Sequence, residues 1–117
     1  MGKGVYKYWT REQLFNLLLK QASIIDLDPV DLRKIVFCKD WEPKVDFNGC
    51  NFVQDRYHPF LPCFIHDYRY IVEGPSNKVD LEFKSNLIKI GFSNFKAWSY
   101  YLGVRLGYYF YYKWLKR

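Results

Sequence analysis

The chain has 117 residues, half of them hydrophobic and 21% aromatic, with a formal net charge of +6. That length points to a single domain with a modest core, and so apolar a composition excludes an intrinsically disordered chain. No stretch of about 20 residues is free of charge, which argues against an ordinary membrane-spanning helix, and the opening MGKGVYKYWT lacks the apolar centre of a secretory signal.

The first element is announced by Thr10 and Gln13, which read as a capping box. Leu14, Leu17, Leu18 and Ala22 then recur at helical spacing, so an amphipathic helix is expected from residue 11 to about 25. A second, short helix is expected in DPVDLRKIVF, with Asp28 as N-cap and Pro29 at the first helical position. These two make up a helical N-terminal part, residues 1–38.

Residues 39–59 have a different character. Prolines, Gly49 and several Asp and Asn residues break any period, and a long loop is expected, with a short extended piece at Lys44–Phe47. A loop of this length in so small a domain is uncommon and often functional. A third helix follows from about Phe60 to Glu73, where Gly74 can stop it and Pro75 prevents its return. Ser76 can cap the next helix, which carries Val79, Phe83, Leu87 and Ile90 and ends at Gly91. Ser93 can cap a last long helix from about 94 to 115. The fold class expected is mostly α: a small helical domain with a central antiparallel helix pair, residues 60–91, and a long loop before it.

The chemistry-bearing residues lie in that pair. In CFIHDYRYIVEG, residues 63–74, His66 and Tyr70 are four apart and share a helix face. Histidine is the side chain best suited to exchange a proton near neutral pH. Asp67, about 100° round the helix from His66, cannot orient the neighbouring ring but could bind a hard cation together with loop oxygens from DFNGCN. If the two helices meet as an antiparallel hairpin, Tyr70 falls level with Asp80 and His66 lies one turn, roughly 6 Å, further away. A Tyr70–Asp80 hydrogen bond is therefore the expected contact. A His66–Asp80 contact requires a steep crossing or an early end to the first helix. Cys38, Cys50 and Cys63 are an odd set with no zinc-site spacing, open to one disulfide plus one thiol or to three buried thiols.

The pattern Gly49-Cys50 followed by Cys63-x-x-His66-Asp67-x-x-Tyr70 resembles the core of the secreted phospholipase A2 superfamily, in particular its bacterial and fungal branch. The resemblance implies that His66 activates a water and that Asp80, on the partner helix, supports it. It implies that Asp67, Gly49 and Asn48 hold calcium, and that Cys50 and Cys63 are bridged. Phe64 stands where that family has a further cysteine, and Gly49 alone remains of its glycine-rich loop. A second resemblance spans roughly residues 48–107. HDYRY, then Asp80-x-x-Phe83, Leu87, Gly91, Ala97, Tyr101, Gly103-Val104-Arg105 and Gly107 are similar to a family of short phage and prophage proteins. It implies a viral origin without implying an activity.

The last acidic residue is Glu82, and residues 83–117 hold seven basic ones. Residues 92–117 contain eleven aromatics, too many to face one small core. Trp98, Tyr108, Tyr112, Lys113, Trp114, Lys116 and Arg117 are the expected contact surface, for an anionic membrane or for another phage protein. Nucleic-acid binding rests only on charge and aromatic content, with no recognised motif. Two functions compete: calcium-dependent hydrolysis of a lipid ester at a membrane surface, or a non-enzymatic phage structural or interaction protein that keeps the helical scaffold.

Overall fold

In the computed structural model, residues 10–43 and 60–110 are described, with side chains to residue 106. They form five α-helices in the order α1 (Arg11–Ile24), α2 (Pro29–Val36), α3 (Leu61–Val72), α4 (Asn77–Lys89) and α5 (Asn94–Phe110). No strand occurs among the described residues. The mostly α architecture follows from the helical spacing of the apolar residues and from the caps that interrupt it. The extended piece expected at Lys44–Phe47 lies outside the described residues.

Four of the five helices begin where a side chain takes over an orphan backbone N–H. Thr10 Oγ1 accepts from the Gln13 N–H at 3.1 Å, and Gln13 Oε1 accepts from the Thr10 N–H at 2.9 Å, closing the capping box on α1. Asp28 caps α2 through the Val30 N–H at 2.8 Å, with Pro29 at the first helical position. Ser76 caps α4 through the Val79 N–H at 3.2 Å, and Ser93 accepts from the Lys96 N–H at 3.1 Å at the start of α5. α3 has no side-chain cap; Phe60 stands at its N-cap and Pro62 lies in its first turn. Gly74 and Gly91 end α3 and α4 with φ of +92° and +118°, a conformation that side chains with a Cβ rarely adopt.

The apolar stripes close on one core. α1 contributes Leu14, Leu18 and Ala22, α2 contributes Leu32, Ile35 and Val36, and α3 contributes Leu61, Phe64 and Ile65. Phe83 and Leu87 of α4 and Ala97 of α5 complete it. A buried Leu or Phe stabilises by roughly 1.5–3 kcal/mol relative to exposure, so these positions carry most of the fold.

A side chain that sequence reasoning passed over sets the position of α3. Arg11 donates to the carbonyl oxygens of Val36, Cys38 and Trp41 at 3.0, 2.7 and 2.8 Å, and so fixes the turn after α2. That turn presents Trp41, whose indole N–H donates to the Ile35 carbonyl at 2.9 Å. The indole packs edge-on against Phe64 and Tyr68, at centroid distances of 4.9 and 5.4 Å. Phe64 and Tyr68 form one face of α3. His66 and Tyr70, two residues on from each and so about 200° round the helix, are turned the other way, towards α4.

Candidate functional site

α3 and α4 meet as the expected hairpin, joined across Gly74 and Pro75. At their seam stands Asp80, in the first turn of α4 and 0% exposed. Three donors from two other helices converge on it. His66 Nε2 lies 2.7 Å from Oδ1, the Tyr70 hydroxyl donates to the same oxygen at 2.5 Å, and Arg105 Nη1 of α5 donates to Oδ2 at 2.8 Å.

The Tyr70–Asp80 contact is the one expected of an antiparallel hairpin; the His66–Asp80 contact is expected only with a steep crossing or an early end to α3. Tyr70 meets Asp80, and His66 meets it as well, although α3 stops only one residue short of Glu73. His66 nonetheless spans the one-turn gap and reaches the carboxylate. The Tyr70 ring lies against the His66 ring, with centroids 4.3 Å apart. Phe83 of α4 covers the other flank of the imidazole at 4.8 Å.

A buried carboxylate needs compensation for lost hydration. Burial pushes the Asp80 carboxyl upward, but the hydrogen bonds from His66, Tyr70 and Arg105, with the nearby charge of His66, outweigh it and hold the group below the ordinary carboxylate range. The start of α4 adds to this, since a helix N-terminus favours negative charge. The hydrogen bond to Asp80 in turn raises the Arg105 guanidinium above its usual range. Asp80 is therefore an anion at neutral pH, able only to accept.

That fixes the proton on the imidazole. An ionised carboxylate cannot donate, so in neutral His66 the hydrogen sits on Nε2 and the lone pair on Nδ1. Through Nε2 the ring bonds Asp80; among the described residues it makes no second hydrogen bond. Yet no buried side-chain nitrogen or oxygen among them lacks a partner. The residue as a whole is buried, only 8% exposed. The arrangement is an imidazole backed by a carboxylate that stabilises the imidazolium formed when the ring takes a proton.

Of the three metal ligands implied by the phospholipase resemblance, Asp67 is on α3 and partly exposed, while Gly49 and Asn48 lie outside the described residues. Among the described residues, no group of three acidic, histidine or cysteine side chains could hold a metal ion. One carboxylate falls well short of the six to eight oxygens that calcium takes, so the described residues do not by themselves constitute that site. Cys63 is disulfide-bonded and Cys38 is free; the Cys50 half of the expected pairing lies outside the described residues.

Arg105 is the site residue that sequence reasoning left without a role, although it stands within the phage-type pattern. Its signal is isolation: it is the only charged residue between Lys96 and Lys113, in a run of aromatic and aliphatic residues. A lone charge in such a run invites the question of which buried carboxylate it answers. Of the expected contact surface, Trp98 is exposed on α5; the side chain of Tyr108, and residues Tyr112, Lys113, Trp114, Lys116 and Arg117, lie outside what is described.

No family model, no curated protein and no solved structure matches the chain. The reading of this site therefore rests on its own geometry and on the residue patterns already given.

Proposed function

We propose that the protein is a hydrolase of the phospholipase A2 type, in which His66 activates a water against the ester of a lipid. The observation that carries the reading is the 2.7 Å contact of His66 Nε2 with the ionised Asp80, which leaves Nδ1 as the basic nitrogen. Nδ1 takes a proton from water as the water oxygen bonds to the ester carbonyl carbon. The tetrahedral adduct then expels the alcohol oxygen, which takes the proton back from His66. Asp80 remains an anion throughout and stabilises the imidazolium. Tyr70 and Arg105 hold Asp80 in place and do not themselves touch the reacting atoms.

The resemblance assigns calcium to Asp67, Gly49 and Asn48. A bound divalent ion would supply Lewis-acid stabilisation of the oxyanion. Of these three, Asp67 alone lies among the described residues. The test is release of fatty acid from mixed phospholipid vesicles by the purified protein, with and without millimolar calcium. Turnover that disappears in His66→Asn, with the far-ultraviolet circular dichroism unchanged, is expected. A wild-type protein that releases no fatty acid in either condition overturns the reading.

One observation favours a second reading, a non-enzymatic scaffold of phage type. Every donor around Asp80 is used to join α3, α4 and α5, as in a network whose purpose is to hold helices together. In that case His66→Asn loses about 1–3 kcal/mol of stability, as expected for a broken buried network, and the wild type turns over no ester.

A further inference from the structure

We infer that the outer face of α5 is a docking surface for anionic lipid, centred on Phe95, Trp98, Leu102 and Leu106. The inference goes beyond the hydrolytic reading and does not depend on it.

The four side chains form a stripe. At 100° per residue they fall within about 80° of the helix circumference. Phe95 is 82% exposed and the other three are each about half exposed. The opposite side of α5 is used for packing: Ala97 is buried, and Tyr100 and Val104 lie against the core. The outward face is thus an apolar surface left over once the core is satisfied, and Leu81 and Ile88 of α4 are also exposed. Contiguous exposed apolar residues of this kind mark an interaction site.

Basic residues border the stripe on both sides. Lys84 of α4 places its ammonium 4.0 Å from the centre of the Trp98 ring. Lys96 flanks the other edge. No acidic residue follows Glu82. Apolar residues with Trp and Phe along one strip, and Lys beside it, are the composition of a helix lying in the headgroup plane. Its length is not suited to crossing: among the described residues no helix is long and apolar enough to span a membrane.

Three occupants compete, and the charge and shape of the face separate them. A second copy meeting this face across a two-fold axis would bring the rim lysines, Lys84 and Lys96, towards their own counterparts, and like charges at an interface are costly. A single-stranded nucleic acid would accept the basic rim and the aromatic rings, but Leu102 and Leu106 offer no flat face on which bases stack. An anionic bilayer accepts all of it: acyl chains take the aliphatic and aromatic stripe, and headgroups take the rim.

The test uses the full chain. Co-sedimentation is measured with vesicles of phosphatidylcholine containing phosphatidylglycerol, and with phosphatidylcholine alone. Binding to the anionic vesicles is expected to be at least tenfold stronger than to the neutral ones. It should fall at least tenfold in Leu102→Glu/Leu106→Glu, and separately in Phe95→Asp, whose site is so exposed that folding is not at stake. His66→Asn should bind as the wild type does, so a failure of hydrolysis and a failure of docking are distinguishable. No preference for anionic vesicles, or variants that bind unchanged, overturns the proposal. So does a dimer in sedimentation velocity, or binding of a single-stranded oligonucleotide, that the same substitutions abolish while vesicle binding persists.

Discussion

Arg105 on α5 holds the second oxygen of Asp80 on α4 at 2.8 Å, and so ties the last helix to the carboxylate that His66 and Tyr70 share from the opposite side. Asp80 is the point at which three helices are joined through one fully buried anion. Removing the guanidinium leaves that anion short of its charged partner. Arg105→Met is expected to cost about 1–3 kcal/mol, the range for a hydrogen bond to a charged group and the penalty of an under-satisfied one. Arg105→Lys should recover part of the loss, because an ammonium restores the charge but not the guanidinium geometry. Urea denaturation of the two variants measures both. A change below 0.5 kcal/mol in Arg105→Met (roughly the scatter of a neutral surface substitution) would contradict the role given to Arg105.

The same carboxylate makes stability depend on acid. Its folded pKa is depressed by three hydrogen bonds against the opposing effect of burial. A depressed group contributes stability that is fully present above its unfolded pKa, about 3.9 for Asp, and lost as pH falls through its folded value. Denaturation midpoints should therefore decline below about pH 4. Asp80→Asn should be less stable at neutral pH and show a flatter decline in that acid window. Matching acid slopes in wild type and variant would show that other carboxylates control the transition.

Tyr70 and His66 donate to the same oxygen, but they are not equivalent. The hydroxyl of Tyr70 orients Asp80, and the ring of Tyr70 supports the imidazole at 4.3 Å. Tyr70→Phe keeps the ring and removes the hydroxyl. It is expected to cost about 1.5–3 kcal/mol of stability, since the acceptor is charged. If the protein is a hydrolase, turnover should fall by about tenfold, equivalent to roughly 1.4 kcal/mol in the barrier. It should not be abolished, because His66 still contacts Asp80. Fatty-acid release and urea denaturation of one preparation give both figures, and complete loss of turnover in a folded Tyr70→Phe would assign Tyr70 a direct chemical role.

The cap of α4 is the fourth target. Ser76 accepts from the Val79 N–H, and the Asp80 N–H bonds the Ser76 carbonyl, so the turn that carries the carboxylate begins at this residue. Ser76→Ala is expected to cost about 1 kcal/mol. Part of that cost should appear as faster amide exchange at residues 78–80, detectable by hydrogen exchange. Protection that stays unchanged there would mean the hub holds the first turn without its cap.

Much of this molecule was readable along the chain, because helices are local objects. Capping by Thr10, Asp28, Ser76 and Ser93, and termination at Gly74 and Gly91, depend on residues within one turn of the helix end. The mostly α fold and the hairpin of α3 and α4 follow from those signals and from the spacing of Leu and Phe. Tyr70–Asp80 was legible for a related reason: two helices joined by a short turn have only one register. What the sequence could not convey was which long side chains bend to reach a common point. His66 joins Tyr70 on one oxygen although it starts a full turn further from Asp80. Arg105, 25 residues beyond Asp80, arrives through a third helix whose position is set by core packing. The exposed stripe at Phe95, Trp98, Leu102 and Leu106 is of the same kind. Periodicity alone makes it an apolar face like any other, and only the packing of Ala97, Tyr100 and Val104 against the core decides that this face is the one left outside.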